Sequence, residues 1–156
     1  MEPKRNTIPE RSEAHGGITG QSSISHLTQA DLRGAHFEGV DLSAIDLSDA
    51  DLSDADLSDA YMEGADLSSA NLASAELAFA NLSCANLSTT NLLYTSLIEA
   101  NLRGAVGLDE KQLAQAHPLE GATMPNGQKY EDWLKARAAG RAGRTALLRT
   151  TLLAAR

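Results

Sequence analysis

Aromatic side chains are scarce in this sequence, with two Phe, three Tyr and one Trp in 156 residues. Ordinary globular cores lean on aromatic rings for much of their buried area. A core here must therefore be aliphatic and repetitive. Cysteine is scarcer still: the lone Cys84 permits no internal disulfide, fits a reducing compartment, and reads as an incidental surface thiol. No apolar run approaches the roughly 20 residues that span a bilayer, and the N-terminus opens on charge instead of an apolar signal core. The expected location is cytoplasmic. His15, His26, His36 and His117 are scattered, without cysteine companions or ligand spacing, so no metal site is expected. No glycine-rich loop opens a helix after a strand, so no nucleotide cradle or other cofactor is expected. Carboxylates are plentiful but fall on outward, wet positions, where nothing separates their pKa values for acid–base work. The chain reads as a non-enzyme.

What the sequence has is a period of five. From Ser25 to Gly104 a large apolar residue returns every fifth position, from Leu27, Leu32, Phe37, Leu42, Leu47, Leu52, Leu57, Met62, Leu67, Leu72 and Leu77 on to Leu102. A small or short residue precedes each by two positions. In an α-helix that spacing would scatter the leucines around every face. In a flat strand it would point them alternately in and out. A short extended piece, Ala-Asp-Leu, followed by a two-residue corner keeps all of them on one side. Four such pieces close a square coil, and stacked coils bury the leucines on a common axis. Sixteen units make four coils, about 20 Å tall at the ~4.8 Å spacing of adjacent strands.

Units such as Ala50-Asp51-Leu52-Ser53-Asp54 and Ala80-Asn81-Leu82-Ser83-Cys84 resemble those of the pentapeptide-repeat family. The resemblance implies an all-β solenoid, a right-handed quadrilateral β-helix of about four coils, with short C-terminal α-helices capping it. The expected organisation is a disordered segment over 1–24, the β-helix over 25–104, a helical cap over 105–137 and a basic tail over 138–156. In the cap, Asp109 is an expected N-cap for a short helix stopped at His117-Pro118. Leu113, Met124, Tyr130 and Trp133 are expected to lie on the leucines of the open top coil, with Trp133 as the anchor. Thr90 and Thr95, at the small position, are expected to strain or widen the last coil.

Charge is uneven. Residues 25–104 carry −11 and residues 105–156 carry +3. An acidic body disfavours direct nucleic-acid binding, which needs the opposite sign. Stacked pairs Asp46/Asp66 and Asp56/Glu76 are expected to repel, and Asn71/Asn91 and Asn81/Asn101 to form amide ladders. Two candidate interaction surfaces stand out. One is the run Asp46, Asp49, Asp51, Asp54, Asp56 and Asp59, which serves solubility or a basic partner. The other is an apolar group at outward corners, Phe79, Leu93, Tyr94 and Ile98, expected to be covered by the C-terminal segment, a second copy or a partner. The functional expectation is an interaction or scaffold module for an unidentified protein partner, with homodimerisation through the late coils or the tail also weighed. The resemblance implies an alternative, a DNA mimic acting on a type II topoisomerase such as DNA gyrase and giving quinolone resistance. Four coils are short for that role.

Overall fold

The computed structural model describes residues 26–140. The expectations for 1–24, and for the tail beyond residue 140, lie outside the described residues.

Each five-residue unit contributes one extended residue to a parallel ladder, and each ladder partner lies twenty residues on, as in Asp51↔Asn71↔Asn91 and Tyr61↔Asn81↔Asn101. The result is a right-handed quadrilateral β-helix. We number its sides by their axial residues. The first side carries Leu27, Leu47, Leu67 and Leu87, and the second Leu32, Leu52, Leu72 and Leu92. The third carries Phe37, Leu57, Leu77 and Leu97, and the fourth Leu42, Met62, Leu82 and Leu102. Backbone bonds run between coils on every side: Leu52 N–H donates to the Asn71 carbonyl at 2.8 Å, and Asn71 N–H to the Ala50 carbonyl at 2.9 Å.

The corner explains why the period is five. After each axial residue the chain turns, closed by a bond from the small residue to the axial carbonyl, as in Ala55 N–H to Leu52 at 3.1 Å. The residue before that small one is left-handed at all sixteen corners, with φ between 54° and 71°. Left-handed backbone at the third position of a turn ordinarily calls for Gly or Asn. Here only Gly34, Gly39, Gly64 and Gly104 supply glycine, and twelve corners hold other residues, among them Phe79, Thr89 and Tyr94. The ladder above and below imposes a conformation that those residues do not favour alone.

The axial residues and the small residues two before them fill the interior, and from Leu47 to Leu102 each axial side chain is almost wholly buried. Thr90 and Thr95 find partners in the last coil. Both are buried, and their hydroxyls donate to the Leu67 and Leu72 carbonyls at 2.8 and 2.7 Å. A hydroxyl close to the size of a methyl, with an acceptor waiting one coil below, meets no penalty for burial.

The ladder does not stop at Gly104. Val106 pairs with Asn86, and Thr123 with Asn101, so residues 105–125 make a fifth coil. Its second side is replaced by a helix, α1, Glu110–Gln115. Asp109 caps α1 as expected, in a capping box with Gln112. The detour adds two residues. Leu97 N–H meets the Pro118 carbonyl and Leu102 N–H that of Thr123, both at 2.8 Å, which sets Leu119 over Leu97 and Met124 over Leu102 at a separation of 22 instead of 20. Both are buried. Gly107 marks the departure point, since a Cβ there would stand 2.5 Å from the Ser88 backbone.

Gln112 closes the top. Its buried side-chain amide donates to the Leu87 carbonyl at 2.8 Å and the Thr90 carbonyl at 3.0 Å, while its oxygen accepts from Asp109 N–H at 2.9 Å. In lower coils the carbonyl equivalent to Thr90 receives a backbone N–H, as Ala50 does from Asn71. The glutamine supplies the rung that a helix cannot. A tight turn at 125–127 then leads to α2, residues 130–140. Leu113 and Tyr130 pack against the core. Trp133 stacks on Tyr130, with centroids 6.1 Å apart, and the Arg137 guanidinium lies 4.5 Å over its ring while pairing with Glu110 of α1. The anchor is Tyr130, and Trp133 lies between it and Arg137, whose pairing with Glu110 joins α2 to α1.

Candidate interaction surface

The six aspartates of the acidic run separate into two groups. Asp46, Asp51 and Asp56 sit in the ladder, directly before an axial leucine, and are partly buried. Each folds its carboxylate back onto the corner: Asp46 Oδ1 accepts from Ser48 N–H at 3.0 Å and from its hydroxyl at 2.6 Å, Asp51 does the same with Ser53, and Asp56 accepts from Ser58 N–H. Such local bonds are the reason Asp and Ser favour turns. They hold these carboxylates below their ordinary pKa. For Asp46 and Asp41 the side-chain bonds from Ser48 and Ser43 lead, and for Asp56 the backbone bond from Ser58. At Asp51 burial pushes upward, but Ser53, Asn71 and Arg33 together outweigh it. These three aspartates support the corners as well as facing outward.

Asp49, Asp54 and Asp59 are different. They occupy the left-handed corner residues and are exposed. Five residues is one side of the square, so the three lie at three successive corners of one coil. The densest acid in the sequence is a belt around the second coil, and of its six members only Asp54, Asp56 and Asp59 border the third side.

Residues about twenty apart stack on one edge and residues five apart stand at the two edges of one side, and by these two relations the apolar candidates all border the third side. Leu93 and Tyr94 form the corner leading into it, and Ile98 stands at the corner leading out. Phe79 occupies that second corner one coil below, its N–H bonded to the Ile98 carbonyl at 2.8 Å. Tyr94 is 70% exposed and Phe79 59%, so cap residues up to 140 do not cover them. Between the two edges runs the column His36, Asp56, Glu76, Ser96. Ala73 and Ala78 continue the apolar surface in the third coil, and Asp54 and Asp59 bound it in the second. The third side thus grades from acid near the base to apolar near the cap. Tyr61, 56% exposed on the fourth side, was not singled out from the sequence, because it stands in the ladder position where polar residues are the rule.

Among the described residues no group of three or more His, Cys, Asp and Glu is placed to hold a metal ion, and no helix is long and apolar enough to cross a membrane. Cys84 is an exposed corner residue.

A family model described as pentapeptide repeats matches residues 25–49, 45–77 and 70–106, eight copies in all. No curated protein matches the chain. Among solved structures, a pentapeptide repeat protein from the Arabidopsis thaliana thylakoid lumen is 29% identical over 70% of each chain, with a TM-score of 0.51. Rfr23, a pentapeptide repeat protein of the cyanobacterium Cyanothece 51142, is 34% identical over 59% of this chain and 61% of its own, with a TM-score of 0.53. QnrB1, a plasmid-mediated fluoroquinolone resistance protein, is 27% identical over 64% of this chain and 43% of its own, with a TM-score of 0.47. The family match spans residues 25–106, more than half of the sequence, and coincides with the observed coils: the chain belongs to the pentapeptide-repeat family.

Proposed function

We propose that this protein is a non-enzymatic interaction module, working in the cytoplasm, that docks a protein partner on its third side. One observation carries the reading. Phe79, Leu93, Tyr94 and Ile98 occupy corner positions that elsewhere hold polar or small residues, and they converge on one face of the wall. Exposed aromatic and aliphatic groups so placed are the usual anchors of a protein interface. The acid below them selects a partner segment that is apolar at one end and basic at the other.

A photo-crosslinking residue placed at Tyr94 tests this in cells, with the same residue at Glu63, exposed beyond the fourth side, as the control. The expected result is one discrete adduct from position 94, none from position 63, and loss of the adduct when Leu93 and Phe79 become Ser. Equal labelling from both positions would overturn the assignment of the face.

A narrower reading makes the partner a type II topoisomerase and the acidic wall an imitation of DNA. Its support is the charge of −11 over residues 25–104 and the vertical carboxylate pairs Asp46/Asp66 and Asp56/Glu76. Gyrase supercoiling assayed with the wild type and with Asp49, Asp54 and Asp59 changed to Lys separates the readings. Inhibition by the wild type that disappears on charge reversal supports mimicry, and no effect from either protein removes it.

A further inference from the structure

The third side has a complement within the same chain. Residues 141–156 contain Arg141, Arg144, Arg149 and Arg156, together with Leu147, Leu148, Leu152 and Leu153, and no acid. That composition mirrors the third side, which offers Phe79, Leu93, Tyr94 and Ile98 beside Asp54, Asp56, Asp59 and Glu76. We infer that residues 141–156 dock intramolecularly on the third side, leucines on the apolar corners and arginines on the acidic coil beneath. The inference rests on the reading of that side as the docking face and makes the tail an internal competitor of the partner.

Reach is sufficient. α2 is held at its far end by Arg137, which pairs with Glu110 at the start of α1. From there α1 crosses the second side and ends over Tyr94, whose N–H bonds the Gln115 carbonyl at 2.9 Å. The distance to cover is therefore one side of the square, about 10 Å if it matches the spacing of facing sheets. Residues 141–146 span up to about 20 Å when extended, which brings Leu147 and Leu148 to Leu93 and Tyr94 with chain to spare. Leu152 and Leu153 then fall within reach of Phe79 and Ile98, across the same face. Two of the other sides suit the tail less. The first and second present Ser48, Ser68, Ser88 and the ladder amides Asn71, Asn86 and Asn91, already engaged with each other or with aspartates.

The test uses the full chain with leucine methyls labelled. The expected result is nuclear Overhauser contacts from Leu147, Leu148, Leu152 and Leu153 methyls to the Phe79 and Tyr94 rings. These contacts should vanish in Arg144→Glu/Arg149→Glu, with the Leu57 and Leu72 methyl signals unmoved as evidence that the coils are intact. Random-coil shifts for the four tail leucines in the wild type would overturn the inference. So would contacts seen only between labelled and unlabelled chains in a mixed sample, which would mean exchange between copies. Either failure leaves the crosslinking result at position 94 untouched, so loss of the tail contact and loss of the docking face are separable.

Discussion

The lower and upper coils solve the same corner with different side chains. In the ladder position the lower coils use Asp41, Asp46, Asp51, Asp56 and Asp66, and the upper ones Asn71, Asn81, Asn86, Asn91 and Asn101. Both accept the N–H of the residue two ahead, as Asp46 does from Ser48 and Asn86 from Ser88. Only the amide can also donate. Asn71 gives its Nδ2 to Asp51 at 2.9 Å, Asn91 to Asn71 at 2.8 Å, Asn86 to Asp66 at 3.1 Å and Asn101 to Asn81 at 3.0 Å. Every one of these bonds points toward the N-terminal coil. Asn above Asp is therefore a bonded pair, whereas Asp46 beneath Asp66 is two carboxylates with no donor between them. The order of the two residue types along the tower follows from the direction in which the amide donates.

The comparison can be broken or sharpened by substitution. The largest effect should come where the two regions are alike. Leu57→Asp in the acidic coil and Leu72→Asp in the amide coil each bury an unpaired charge on the axis, and both should abolish folding at a cost above about 4 kcal/mol. A cooperative native melt for either would contradict the inward assignment. Next is Asn71→Asp, which removes the donor to Asp51 and sets two carboxylates one above the other. It should cost about 1–3 kcal/mol by urea unfolding, with part of the loss recovered in high salt.

The reverse change, Asp66→Asn, keeps the acceptor for Ser68 and Asn86 and relieves the pairing with Asp46. It should stabilise by about 0.5–1 kcal/mol. The smallest effect is on pH dependence. Asp41, Asp46, Asp51 and Asp56 are held below the usual carboxylate range, so the stability they add is complete above the unfolded value near 3.9 and is lost as pH falls through their folded values. Melting temperature should drop steeply below about pH 4. The triple change of Asp46, Asp51 and Asp56 to Asn should flatten that drop, because the amides keep the corner bonds without titrating.

The coil and the amide ladders were legible in the sequence because a period of five admits one geometry, and because twenty residues per coil fixes what stacks on what. The Asn71/Asn91 and Asn81/Asn101 pairs followed directly. The expected repulsion at Asp46 and Asp56 missed the serine bonds that hold those carboxylates ionised, since an Asx contact depends on a side-chain rotation that spacing does not report. The acidic run reads as one surface because consecutive letters look adjacent, whereas five residues turn the chain by a right angle and leave only Asp54, Asp56 and Asp59 on the third side. Gln112 was hidden for a related reason: its partners, Leu87 and Thr90, lie more than twenty residues back on a coil edge. Asp109 was legible as an N-cap, but nothing local signalled that the Gln112 amide would close the ladder. Met124 lies over the top coil as expected, whereas Leu119 was obscured by the shift of register from 20 to 22, although Leu119-Glu-Gly-Ala122 keeps the look of a repeat unit.

That shift of register bears on how such a chain changes size. Below the fifth coil the tower is invariant to the removal or duplication of any twenty consecutive residues, because each coil presents the same rungs upward and downward. Gain or loss of five residues lower in the tower is a different event: it turns the cap by a quarter of the square relative to the base, while Gln112 keeps the Leu87 and Thr90 carbonyls 25 and 22 residues behind it. Height can thus change by single sides, and only the facing of the cap relative to the base is counted in whole coils. The two extra residues spent on α1 shift the phase once and the ladder resumes; the tower ends where the chain turns at 125–127 and Lys129 pairs back antiparallel on Thr123.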